Sequence, residues 1–125
     1  MKLRIRENTL RIRLTQSEIK NIEEGLEVSS YLLFPNNGKL SYRITSHNNP
    51  LTTLNYFENT IQIMLGELDR ETLCDPSAVG VQNMHSTKGD DLSLLIEKDF
   101  NCLHPRDGED QDTFPHPNKN IKDFS

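Results

Sequence analysis

With 125 residues, 34% of them apolar, and a net charge of −5 at neutral pH, the chain has the size of one domain that buries roughly two thirds of its unfolded surface. No run of about 18 apolar residues occurs, which excludes a membrane-spanning helix. An acidic chain with no tryptophan, three tyrosines and five phenylalanines is also poorly equipped to bind nucleic acid.

Strict alternation at the start places Leu3, Ile5, Leu10, Ile12 and Leu14 on one side and Lys2, Arg4, Arg6, Arg11 and Arg13 on the other, which is strand periodicity. With Glu7 and Asn8 as a two-residue turn, Ile5 faces Leu10 and Leu3 faces Ile12; a slip by one residue would turn arginines into the core. Thr15 and Glu18 have capping-box spacing, and Leu14 and Ile19 form a hydrophobic staple, so a helix starts at Thr15 and stops at Gly25. Leu26 to Phe34 and Leu40 to Thr45 read as a second strand pair around Pro35, Asn36, Asn37 and Gly38.

The stretch ENTLRIRL at Glu7 to Leu14 then returns 51 residues later as ENTIQIML at Glu58 to Leu65. At the same offset Leu3 meets Leu54, Ile22 meets Leu73 and Gly38 meets Gly89, and after one inserted residue near Asp90 Ile44 meets Ile96. Self-similarity at a fixed offset marks a duplicated supersecondary unit. The second copy predicts strands near Leu51 to Phe57 and Thr60 to Leu65, a helix ending before Asp75 and Pro76, and strands near Val79 to Met84 and Leu92 to Phe100.

The fold expected is α+β and mainly antiparallel: a duplicated ββαββ unit giving eight strands and two short helices, closed as a barrel or curled as two sheets. The globular domain is expected over residues 1–104, with repeats at about 2–46 and 51–100. Pro105 to Ser125, rich in proline, acids and amides, is expected to be an extended or flexible acidic tail. The alternation from Met1 to Leu14 lacks the apolar core of a signal peptide, so Cys74 and Cys102 are expected as free thiols in a reducing cytoplasm.

Charge is uneven. Met1 to Lys20 holds six basic residues against two acids, whereas Gly89 to Asp112 holds eight acids against Lys98 and Arg106. In the expected register Arg4 lies across from Arg11 and Lys2 across from Arg13, and like charges directly opposite are destabilising. The second copy has Asn55, Phe57, Gln62 and Met64 where the first has Arg4, Arg6, Arg11 and Arg13, so the fold does not need these arginines. Two readings follow: the arginines bind an anionic small molecule or an acidic protein surface in bidentate geometry, or they are neutralised by Glu97, Asp99 or the acidic tail.

Other constellations are weaker. Cys102 and His104 share one side of an extended segment, with His116 beyond, but the spacing matches no structural zinc motif. Ser41 and Ser93 occupy equivalent places in both copies, as a structural pair does, and no nucleophile elbow or phosphate-cradling glycine loop is present. No catalytic residue, metal site or cofactor is therefore expected, and a non-enzymatic binding or interaction role is the first reading. Phe57 and Met64 make the second copy's face apolar enough to suggest a homodimer.

The segments KLRIRENTLRIRLTQSEI, LLIEKDFNCL and EDQDTFPHPN resemble a family of short uncharacterised bacterial proteins, a domain of unknown function. That resemblance implies a bacterial, cytoplasmic protein and brings no site residues with it. Architecturally, a duplicated eight-stranded unit with a basic face is similar to the CYTH triphosphate tunnel enzymes. They carry an ExExK strand motif near the N-terminus; the corresponding place here reads KLRIR, without the two metal-binding glutamates. The likeness implies an alternative function, hydrolysis of a triphosphate with the arginines on phosphate and Glu97 or Asp99 on a divalent cation.

Overall fold

The computed structural model describes residues 1–100 and 112–114. The elements run β1 (Lys2–Arg6), β2 (Thr9–Leu14), α1 (Gln16–Glu23), β3 (Val28–Leu33), β4 (Lys39–Ser46), β5 (Thr53–Phe57), β6 (Thr60–Leu65), α2 (Glu67–Cys74), β7 (Gly80–His85) and β8 (Leu92–Lys98). The first hairpin takes the register that the apolar alternation demands, with Ile5 opposite Leu10 and Leu3 opposite Ile12. Its counterpart pairs Tyr56 with Ile61 and Leu54 with Ile63, around a turn in which Glu58 (φ 51) and Asn59 (φ 58) both take the left-handed conformation of a type I′ turn.

The strands form two four-stranded sheets of order β1-β2-β8-β7 and β3-β4-β6-β5. Of the two closures the pattern allowed, the chain adopts the two-sheet one and not a closed barrel. Hairpins pair antiparallel, but each sheet is joined at its centre by a parallel seam, β2 with β8 and β4 with β6, so both sheets are mixed. Each half of the chain thus gives one hairpin to each sheet. Exchanging β1–β4 for β5–β8 converts one sheet order into the other, which is a pseudo-twofold relation between intertwined halves.

The core lies between the sheets. Ile12, Leu14, Ile22, Ile44, Ile63, Leu65, Leu73, Leu94 and Ile96 are fully buried. Eight of these nine are four copy-related pairs: Ile12 with Ile63, Leu14 with Leu65, Ile22 with Leu73, and Ile44 with Ile96. Each such side chain contributes about 1.5–3 kcal/mol relative to exposure.

Helix ends follow the same symmetry with different chemistry. Thr15 caps α1 in a full capping box: its hydroxyl accepts from the Glu18 N–H, and Glu18 Oε1 accepts from the Thr15 N–H at 2.9 Å. Gly66 stands at the equivalent place before α2, because a Cβ there would sit 2.4 Å from the Leu51 carbonyl carbon. The N-terminal amides of α2 are met by the linker between the copies, Glu67 N–H donating to the Asn49 carbonyl and Leu68 N–H to the Pro50 carbonyl. At α1 the same job falls to a segment almost a hundred residues away: Gln16 N–H donates to the Asp112 carbonyl and Ser17 N–H to Asp112 Oδ1. Phe114 then packs on Phe100, with ring centroids 5.9 Å apart.

At the other ends, Arg70 donates to the Ile22 and Glu23 carbonyls that finish α1, and Lys98 Nζ to the Asp75 carbonyl after α2. Gly25 ends α1 at φ +78. The remainder of the expected tail, and Cys102, His104 and His116, lie outside the described residues.

Two predictions follow from this packing. Ile12→Ala and Ile63→Ala occupy equivalent core sites, and each should cost about 2–5 kcal/mol in urea unfolding with an unchanged m-value. Hydrogen bonds from Ser17 and Thr15 hold the Asp112 carboxyl below the usual aspartate range. A carboxyl depressed on folding stabilises above its unfolded pKa and loses that contribution as pH falls through the folded value. Asp112→Asn should therefore be less stable than the parent at pH 7, and the difference should vanish in acid below the folded pKa.

Candidate functional site

The outward face of the first sheet carries Lys2, Arg4 and Arg6 from β1, Arg11 and Arg13 from β2 and Glu97 from β8. Arg4 stands directly opposite Arg11, and Lys2 opposite Arg13. Two of these five cations have carboxylate partners: Arg11 Nε pairs with Glu97, and Lys2 Nζ with Asp99 Oδ2 at 2.9 Å. Among the described residues no ion pair engages Arg4, Arg6 or Arg13. Arg4, Arg6 and Arg11 line a depression of about 430 Å³ with Glu7 and Thr9 at its turn end. All four predicted arginines thus share one solvent-facing surface, and three of them are unmatched.

The equivalent face of the second sheet is built otherwise. Asn55 stands opposite Gln62 where Arg4 meets Arg11. Arg43 there hydrogen-bonds Gln62 and lies 4.0 Å from Glu27, so its charge is compensated. Phe57, Tyr31 and Leu33 are exposed around it, Phe57 at 71%.

Glu97, Lys98 and Asp99, adjacent in sequence, separate in space. Glu97 and Asp99 serve the basic face, while Lys98 turns inward, 5% exposed, toward Asp75 and the Phe114 ring. Burial lowers the Lys98 ammonium pKa below the usual lysine range, with neighbouring Asp75 and Cys74 opposing the shift. Ser41 and Ser93 sit at equivalent positions on β4 and β8, each beginning a parallel seam, with Thr60 and Thr9 as their respective partners.

One constellation has no counterpart in the sequence reading. The Gly66 N–H donates to Thr52 Oγ1 at 3.0 Å, Thr52 donates to Asp69 Oδ2 at 2.6 Å, and Asn83 Nδ2 donates to the same oxygen at 2.8 Å. Asn83 Oδ1 is in turn 2.6 Å from His85 Nε2. Asn83 and His85 face inward from β7, where the strand register sets Ser30 and Leu32 in the first copy: His85 lies opposite Leu92 as Leu32 lies opposite Leu40, and Asn83 opposite Leu94 as Ser30 lies opposite Tyr42. The change from Leu32 to His85, polar for apolar at an inward position, is the signal that could have revealed the relay. His85 also lines a cleft of about 310 Å³ between the sheets at their turn ends.

If the opposed guanidiniums strain the sheet, relieving them should stabilise it. Arg4→Gln should gain about 0.2–1 kcal/mol at low salt, and the gain should shrink at 1 M salt, where the Debye length is about 3 Å. Arg11→Gln strands Glu97 and should bring no such gain. Chemical denaturation at two ionic strengths checks both.

No helix of the described residues is long and apolar enough to cross a membrane. A search of curated proteins and of solved structures finds no match to this chain. Residues 1–118 match the family described as Family of unknown function (DUF7009), and by that extent of match the chain belongs to it.

Proposed function

We propose that the chain is a non-enzymatic binding module that holds a multiply charged anion on the outer face of its first sheet. Arg4, Arg6 and Arg13 are the primary contacts, with Arg11 shared between ligand and Glu97. The supporting observation is the unbalanced charge: Arg4 lies opposite Arg11 on an exposed strand pair, and the copy-related pair Asn55 and Gln62 shows that the architecture stands without that repulsion. A guanidinium cluster with more cations than carboxylate partners among the described residues is electrostatically arranged for an incoming anion, which two arginines can clamp in bidentate geometry.

Hydrolysis of a triphosphate is the competing reading, and the geometry favours it less. A tunnel enzyme needs its charged groups inside a closed barrel, whereas here the interior holds leucine and isoleucine and the arginines point outward. Glu97 and Asp99, the carboxylates a divalent cation would use, are each occupied by a cation of the face. Among the described residues no three His, Cys, Asp or Glu side chains gather into a metal-binding group.

Thermal unfolding with tripolyphosphate tests the proposal against chloride of equal ionic strength. A ligand specific for the folded state at 100 times its Kd adds about 2.7 kcal/mol, which is a rise of several degrees in a domain of this size. The double variant Arg4→Gln/Arg6→Gln should abolish the rise without lowering the ligand-free Tm. A response that is unchanged in the double variant, or absent with tripolyphosphate and nucleotides alike, overturns the small-anion reading; in the second case an acidic protein segment becomes the ligand to try. Release of phosphate in the presence of Mg²⁺ would establish the hydrolase instead.

A further inference from the structure

The inner side of the β1–β2 hairpin, away from the arginines, borders the 310 Å³ cleft, whose volume is at the lower end for small-ligand sites. Ile5 and Leu10 line it together with their copies Tyr56 and Ile61, so the pseudo-twofold axis of the fold passes through it. Leu54 and Leu92 complete an apolar wall. Ile5 and Tyr56 are 61% and 63% exposed at its rim, although both point to the core side of their strands. The helices leave from the Leu14 and Leu65 ends of β2 and β6, so nothing from them reaches these turns.

We propose that this cleft binds a small neutral molecule with an apolar ring body and one hydrogen-bond donor, the donor being received by His85. The assignment of the donor follows from the side-chain chain behind the histidine. Asn83 must direct its amide NH₂ at the Asp69 carboxylate, because the reverse orientation would set oxygen against oxygen. Its Oδ1 therefore faces His85 Nε2, which must carry the proton, and Nδ1 is left as an unprotonated acceptor in the neutral ring. Thr52, itself 8% exposed and held by Gly66, locks Asp69 from the other side. Glu7 is the one fully charged side chain among the lining residues, so the cleft disfavours anions and is chemically distinct from the arginine face across the same hairpin.

Comparison of the copies supports a ligand role for this relay. Pseudo-twofold replacement puts Leu32 and Ser30 at the places of His85 and Asn83, and the neighbouring depression on that side is lined by Phe34 and Leu40. The fold accepts a leucine at the place of the histidine and only a short hydroxyl side chain at the place of the asparagine. An acceptor oriented by a three-residue relay at the edge of an apolar cleft is then an addition specific to one side.

Amide-resolved NMR titration of the full chain with indole and with 1-methylindole tests this, the second probe having the same ring and no N–H donor. Both should shift the amides of Ile5, Leu54, Tyr56 and Ile61, and indole should bind about tenfold more tightly, the equivalent of one good hydrogen bond. His85→Leu and Asn83→Ser, each the residue of the other copy, should keep the folded spectrum and bring the two probes within about twofold. Arg4→Gln/Arg6→Gln should bind indole as the parent does, so failure of the anion reading leaves this result untouched. Absence of saturable shifts at the cleft, or equal affinity for the two probes in the parent chain, overturns the proposal.

Discussion

The parallel seams between β2 and β8 and between β4 and β6 are the constraint on which the rest of the structure depends. A hairpin of two strands is marginal in water, and each half of this chain makes two hairpins that do not pair with each other. Only when β8 lies along β2, and β6 along β4, do two four-stranded sheets exist to enclose Ile12, Ile63, Ile44 and Ile96. The first ENT turn lies at the mouth of the cleft, and the β2–β8 seam brings Glu97 of the last strand beside Arg11 of the second. The β2–β8 seam, which pairs Thr9 with Ser93, requires a loop of most of the chain length to close before the core rewards it, whereas β4 and β6 are near in sequence.

Most local elements were legible because their causes are local. The first hairpin's register follows from alternation, α1 from the Thr15 and Glu18 box, its end from Gly25, and β6 from an unbroken copy of β2. The seams were not legible, since a buried central strand shows the same apolar alternation whichever neighbour it takes and whichever direction that neighbour runs. Asp112 as a helix cap was equally hidden: a single acid in a polar stretch has no pattern, and its role exists only because Gln16 and Ser17 present unsatisfied amides there. The four arginines could be gathered onto one face from periodicity alone. The relay from Thr52 to His85 could not, because its members are scattered over a loop, a helix and a strand with no recurring spacing. Comparing inward positions between copies would have exposed it, as comparing outward positions exposed the arginines.

The two outer faces have diverged in opposite senses. The first concentrates positive charge beyond what its carboxylates neutralise, and the second exposes Phe57, Tyr31 and Leu33. Lys39 lies 4.6 Å over the Tyr31 ring, a cation–π contact that shields part of this apolar surface. Self-association through that surface, anticipated from Phe57 and Met64, would bury side chains that now face water.

The exchange of hairpins has a further consequence for how such a molecule comes to carry two dissimilar sides. A fifty-residue chain with this pattern leaves both inner strand edges open, and a second identical chain is the complementary surface that closes them. Joining two such chains end to end replaces an encounter that depends on dilution by one at an effective concentration in the millimolar range. It also removes an identity constraint: in a symmetric pair every substitution appears twice, so an arginine gained on one flank is gained on both. Covalent fusion frees each flank to acquire its own chemistry while the shared interior stays as it was, and a single-chain molecule can then present one charged side, one apolar side and a histidine at the edge of one cleft.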